Sequence, residues 1–323
     1  MTITTTNPTP ISPTLGRLLD GELAFSTVYR RYYASHLAMS LVALEALGAP
    51  PSVLEDTFAA HERHATPRED PAAVDAVRAE IARDGIETTV RAHAPALVDG
   101  PGSQLFHAAI RLAYGLDAGH EGQVAAALVD WEGRNTVLPV AEPTRGTRRM
   151  PDVLAMVATA PDITRRDHSI RDLGAIAELD GFRAAVGELA LDDHTWDEIA
   201  ALALHAHVAA DDFFTLHMVT GAHAVRVVSE VLRGEVADRF AARTVQVMAT
   251  AYLGVGAPTL PTPDQLDAIR RPPLPSWDEI AAAAVADGDA HVVKLVYVSR
   301  AEHGRTDDPL YQYLAARAVG LVG

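Results

Sequence analysis

Asp212–Arg233 reads DFFTLHMVTGAHAVRVVSEVLR. Apolar residues recur at helical spacing on most of its faces, which is the pattern of a helix at the centre of a bundle rather than on its surface. Two histidines interrupt it. At 100° per residue, His217 and His223 lie about 120° apart around the axis, so an undistorted helix does not aim both at one small ion. His217 shares its side with Phe213, Thr220 and Gly221, where small residues allow a neighbouring helix to approach. His223 instead pairs with Val219 and Arg226. His217 is therefore the better metal candidate, while His223 and Arg226 are candidates to orient a substrate; a buried polar network is the plainer alternative for both.

Outward from this stretch, the chain keeps the same character. Helices are expected over Leu23–Leu47, Pro71–Asp84, Gln104–Leu116, Gln123–Trp131, Pro151–Thr159, Ile176–Ala190 and Trp196–Val208, with glycine and proline between them. Arg134–Pro151 and Gly254–Ser276 read as long connectors. The first carries Arg145, Arg148 and Arg149, an anion-site candidate that reads more simply as a solvated surface. Trp196-Asp-Glu-Ile-Ala-Ala recurs at Trp277, and two similar helix starts explain it, because the sequences diverge beyond the six residues. Few alternating strands appear. The expected fold is all-α, a compact multi-helical scaffold with long connecting loops. A flexible segment over 1–22 precedes a single helical domain, 23–323, with two subregions joined near 134–151.

Composition narrows the chemistry. The 323 residues contain no cysteine, which removes disulfides, thiolate nucleophiles and every cysteine-based metal site. With 43 acidic and 27 basic residues the net charge is −16, against wrapping nucleic acid or lying on an anionic membrane. The uncharged run Thr244–Pro263 is broken by Gln246, two glycines and prolines, so no membrane span is expected, and the N-terminus does not read as a signal peptide. A cytoplasmic location is the expectation. No glycine-rich dinucleotide motif, Walker A motif, HExxH or GxSxG occurs, and no nucleophile context selects a serine for hydrolysis.

Fourteen histidines are the unusual ingredient. His36 falls on a helical face with Tyr32 and Met39. His107 leads Arg111 and Tyr114 at i, i+4 and i+7 within an apolar stretch, so these groups point to a pocket or an internal polar network. His291 and Lys294 lie about 60° apart on one face. A lysine ammonium has no lone pair to give a metal; it becomes a ligand only as a carbamate, and a salt-bridged surface lysine is the commoner reading. His205 and His207 lie on different faces near a solvated helix boundary. His61, His64, His93, His120, His168, His194 and His303 stand beside charges or turns and are expected to be exposed.

The segments Ser35-His-Leu-Ala-Met-Ser, Leu44-Glu-Ala-Leu-Gly-Ala, Leu105-Phe-His-Ala-Ala-Ile-Arg-Leu-Ala-Tyr-Gly, Phe214-Thr-Leu-His-Met-Val-Thr-Gly-Ala-His-Ala and His291-Val-Val-Lys occur in an order that resembles the questin oxidase-like family. The resemblance implies a helical oxygenase for oxidative cleavage of, or oxygen insertion into, an anthraquinone-like polyketide. It implies Fe(II), with molecular oxygen as co-substrate and NADPH or an external reductant, such as a separate reductase, as electron source. Carried onto this chain, it gives His36, His107, His217, His291 and carboxylated Lys294 as iron ligands, with His223 as the alternative to His217. Arg111, which stands where family members often carry a histidine, Tyr114, His223 and Arg226 are the candidates to act on substrate oxygen. Competing readings are a metal-free, NADPH-dependent Baeyer–Villiger monooxygenase and a non-catalytic protein that binds a small molecule.

Overall fold

The computed structural model describes residues 10–29, 33–139, 146–164 and 173–323. Among them, α1 (Pro13–Glu22) leads into a two-stranded hairpin of β1 (Val28–Tyr29) and β2 (Tyr33–Ala34), antiparallel with Val28 opposite Ala34. There follow α2 (Leu37–Ala46), α3 (Pro51–Glu62), α4 (Pro71–Asp84), α5 (Ile86–Leu97), α6 (His107–Asp117) and α7 (Glu121–Gly133). The second half holds α8 (Met150–Thr159), α9 (Pro161–Thr164), α10 (Leu173–Ala177), α11 (Asp180–Gly187), α12 (Thr195–Ala210), α13 (Phe213–Val231) and α14 (Gly234–Gly254). Last come α15 (Pro263–Arg270), α16 (Trp277–Asp287), α17 (Ala290–Thr306) and α18 (Pro309–Ala318). The fold is all-α apart from that short hairpin.

Helix α13 occupies the centre. Asp212 caps it, accepting from the backbone N–H of Phe214 and Thr215, while the Thr215 hydroxyl closes a capping box. Its flanks pack on α6, α12, α14 and α17, and α17 in turn lies against α2, α16 and α18. Close approach of α6 is possible because Gly221 has no side chain: a Cβ there would stand 2.5 Å from Cγ of Phe106. Buried apolar residues form one core cluster reaching from Leu15 to Ala316.

Several expectations are corrected. The stretch Leu23–Leu47 is helical only from Leu37. Before it, the backbone pairs with a distant segment, Ser26 N–H donating to Thr66 and Arg68 N–H to Ala24, so tertiary hydrogen bonds override the helical spacing. Tyr32, used in that reading, lies outside the described residues, as do Arg145 and His168. Helix α6 begins at His107 rather than Gln104, because Gln104, Leu105 and Phe106 all take left-handed backbone angles. Ile176–Ala190 splits into α10 and α11. The connector Gly254–Ser276 contains α15, opened by Pro263 and a Thr262–Gln265 capping box. Helix α1 falls within the segment expected to be flexible, and Leu15, Leu18 and Leu19 fix it to the core. The two Trp-Asp-Glu-Ile-Ala-Ala segments open α12 and α16 respectively. Of the basic cluster, Arg149 pairs with Asp192 and Glu198.

Among the described residues, no helix is long and apolar enough to cross a membrane.

Candidate metal centre

Four helix starts deliver four imidazoles to one place. His36 is the N-cap of α2, His107 the first residue of α6, His291 the second of α17, and His217 lies one turn into α13. Their rings form a closed circuit. Centroids are 4.9 Å apart for His36 and His107, 4.9 Å for His107 and His217, 5.4 Å for His217 and His291, and 4.6 Å for His291 and His36. Donor nitrogens of His36, His217 and His291 all lie within 4.8 Å of one another, and Nε2 of His36 is 2.8 Å from Nε2 of His107.

Hydrogen bonds fix which nitrogen faces inward. His107 Nδ1 donates to the Gln104 carbonyl at 2.6 Å, and His217 Nδ1 to the Phe213 carbonyl at 2.7 Å. Each bond leaves Nε2 with its lone pair, the arrangement in which a histidine ligates through one nitrogen and is oriented through the other. The left-handed turn at Gln104–Phe106 is what turns the Gln104 carbonyl toward its own helix start. Nε2 of His217 and of His291 is buried with no hydrogen-bond partner. A buried orphan nitrogen costs free energy that a bound ion would recover.

Lys294 completes the cluster. It is fully buried, and its Nζ has no hydrogen-bond partner. Burial, aided by the charge of Arg111, pushes the amine down to about 7. Its own charge acts on all four histidines. Burial first and Lys294 among the neighbouring cations hold His36 and His107 well below the ordinary histidine range and lower His291. His217 falls to about 3, again chiefly through burial. The shifts of all four run toward the neutral imidazole that ligation requires.

The donor set suits a transition metal. Two nitrogens bound at about 2.1 Å and at right angles on one ion stand about 3.0 Å apart, close to the separation of His36 and His107. Four imidazoles favour iron, copper, nickel or zinc over magnesium or calcium. His36 and His291 are partly exposed, so the cluster opens on their side. There Phe213, 51 % exposed, sets its ring 4.4 Å from that of His217 and 5.1 Å from that of His291.

The other candidates are placed differently. Arg111 lies behind the cluster, donating to the Ser35 carbonyl at 2.8 Å and facing the fully buried Glu22 at 3.5 Å. Burial raises Glu22, against the opposing pull of Arg111. The Tyr114 hydroxyl is buried without a hydrogen-bond partner, its ring 5.0 Å from that of Tyr297. His223 lies in a separate network. Its Nδ1 is 2.7 Å from Glu302 and its Nε2 is 3.8 Å from Asp117, while Arg226 bonds Glu302 and Glu230. Burial opposes charge here, yet Asp117 and Glu302 raise His223, and His223 with Arg226 holds Glu302 far below the carboxylate range. Held between two carboxylates and away from the circuit of the other four rings, His223 is set apart from His217.

Sequence reasoning did not find Glu22, Asp117 or Glu302. For Glu302 the signal was available, since it continues the buried stripe Leu295, Val298, Ser299 at helical spacing. His93 and His120, expected to be exposed, are largely covered, and His120 caps α7 by accepting from Gln123 N–H. His207 is buried and bonds Thr215.

No curated protein matches the chain. Residues 187–299, which carry His217, His291 and Lys294, match the family model described as Questin oxidase-like.

Proposed function

We propose that the chain is a non-haem iron oxygenase acting on a planar polycyclic polyketide of the hydroxyanthraquinone kind. The observation that carries the reading is the convergence of the donor nitrogens of His36, His217 and His291, with His107 against His36 and His217 and an unpaired, fully buried lysine beside them, three of those five residues lying inside the stretch similar to Questin oxidase-like proteins. His36, His107, His217 and His291 would hold the ion through nitrogen. Bound iron would supply the one-electron chemistry by which dioxygen reacts with an aromatic ring.

Lys294 supplies the negative charge that this all-nitrogen set lacks. Its neutral Nζ attacks the carbon of carbon dioxide, an N–C bond forms as one C–O π bond breaks, and a proton leaves nitrogen for solvent, giving a carbamate whose single negative charge is shared by two oxygens. Arg111, beside Lys294 and backed by Glu22, favours that anion. A phenolate or quinone oxygen entering from the open side meets the same field. Electrons, where the reaction needs them, come from NADPH or a separate reductase.

The experiment is iron analysis followed by aerobic turnover of hydroxyanthraquinones with isotopically labelled dioxygen. One iron per chain and label in the product are expected. A fully folded, iron-reconstituted protein that incorporates no label from any such quinone would overturn the reading.

A further inference from the structure

Phe213 is an anomaly for a central helix. It is the sole aromatic residue among the exposed large apolar side chains described, and it stands at the mouth of a buried histidine cluster. A single exposed apolar side chain is ordinary; what distinguishes Phe213 is that its exposed ring lies 4.4 Å from that of His217 and 5.1 Å from that of His291. Its position is rigidly set. As the first residue of α13 it lies within the Asp212–Thr215 capping box, and its carbonyl is tied to His217 Nδ1. Phe214 stands edge-on to the ring at 5.4 Å, limiting how far it can turn.

The approach to the cluster is one-sided. His107, His217 and Lys294 are buried, whereas His36 and His291 are partly exposed. Among the described residues of the cluster, His36, His291 and the adjoining Phe213 are the ones that reach the surface. A flat ring entering there finds one aromatic face beside the rings of His217 and His291.

We propose that Phe213 is the stacking platform for the incoming ring system, a specificity-determining residue that selects flat aromatic substrates and sets their distance from the centre. The proposal rests on the functional reading above. Aromatic faces hold planar ligands by offset stacking largely independent of their substituents, so Phe213 would admit a range of fused-ring quinones and discriminate against saturated ones. Because the side chain contributes little to the core, its replacement leaves the scaffold and the histidines in place.

The test is an anaerobic titration of iron-loaded protein with 2-hydroxyanthraquinone, followed by the probe's visible absorption, in the parent, Phe213→Ala, Phe213→Leu and Phe213→Trp. Iron content is measured for each. The expected result is unchanged iron, affinity weakened about ten- to a hundredfold in the Ala variant, an intermediate loss in Leu and recovery in Trp, with the effect on turnover carried by KM rather than kcat. Equal binding by parent and Ala variant at equal iron content would overturn the proposal and leave the functional reading standing. Loss of iron from the Ala variant would also overturn it, since the ring would then serve to hold His217 and His291. Failure of the parent itself to bind the quinone would remove both.

Discussion

Lys294 has different energetic consequences with and without the ion. An amine lowered from 10.5 to about 7 is less protonated in the folded chain than in the unfolded one throughout that interval. The unfolded state therefore binds more protons, and the stability of the metal-free protein rises with pH between about 7 and 10.5. Lys294→Met removes the buried amine while keeping an unbranched apolar chain. It should stabilise the metal-free protein by roughly 2–5 kcal/mol near pH 7 and flatten the pH slope, as measured by urea unfolding across that range. A variant no more stable than the parent would mean that Lys294 finds a partner in the metal-free state. With iron the sign reverses. Lys294→Ala should weaken iron retention, and Lys294→Arg should not restore it, because a guanidinium stays cationic and forms no equivalent carbamate. Lys294→Glu should recover part of the iron but little turnover, its shorter reach misplacing the carboxylate. Full iron and full label incorporation in both the Ala and Arg variants would defeat the ligand role.

At the level of elements, the centre depends on how α6, α13 and α17 are held, and two devices hold them. The first is the contact of Gly221 with Phe106, which carries the left-handed turn leading into His107. Gly221→Ala should cost about 1–3 kcal/mol by overpacking and weaken iron retention through His107, read by thermal unfolding with and without iron. A variant of parental stability and iron affinity would show that the turn yields freely. The second is the buried network of Asp117 on α6, His223 on α13 and Glu302 on α17. Glu302 keeps Arg226 and Arg305 when the ring is lost, so His223→Leu should destabilise by about 1.5–3 kcal/mol, the worth of a hydrogen bond to a charged group, and the double change with Glu302→Leu measures how much of that is coupling between the two. The raised His223 contributes fully below about pH 6.5 and is lost as pH rises through its folded value. The depressed Glu302 contributes fully above about pH 4.5 and is lost as pH falls. The coupling energy from a double-mutant cycle should thus be greatest between those limits, and a coupling that does not vary with pH would contradict the charge assignment.

Across the whole molecule, what was legible in the sequence follows physical lines. Helical spacing and capping residues mark α4, α7, α12 and α13 to within a few residues, because those signals are local. The helix expected from Leu23 fails at Ala24 and Ser26 because their hydrogen-bond partners lie some forty residues away. The histidines sit at helix starts, where periodicity says little about direction, and His107 is aimed by a left-handed turn made of Gln104, Leu105 and Phe106, none of which advertises it. Lys294 was visible as a neighbour of His291, but its burial without a counter-ion is a property of four converging helices. The direct measurement of the central claim is a crystal structure of the iron-loaded protein recorded at the iron absorption edge. One anomalous peak is predicted, with nitrogens of His36, His107, His217 and His291 at about 2.0–2.3 Å and added density for a carboxyl group on Lys294 bridging to it. An iron peak elsewhere, as at Asp117, His223 and Glu302, or an unmodified Lys294 turned away from the ion, would contradict the account.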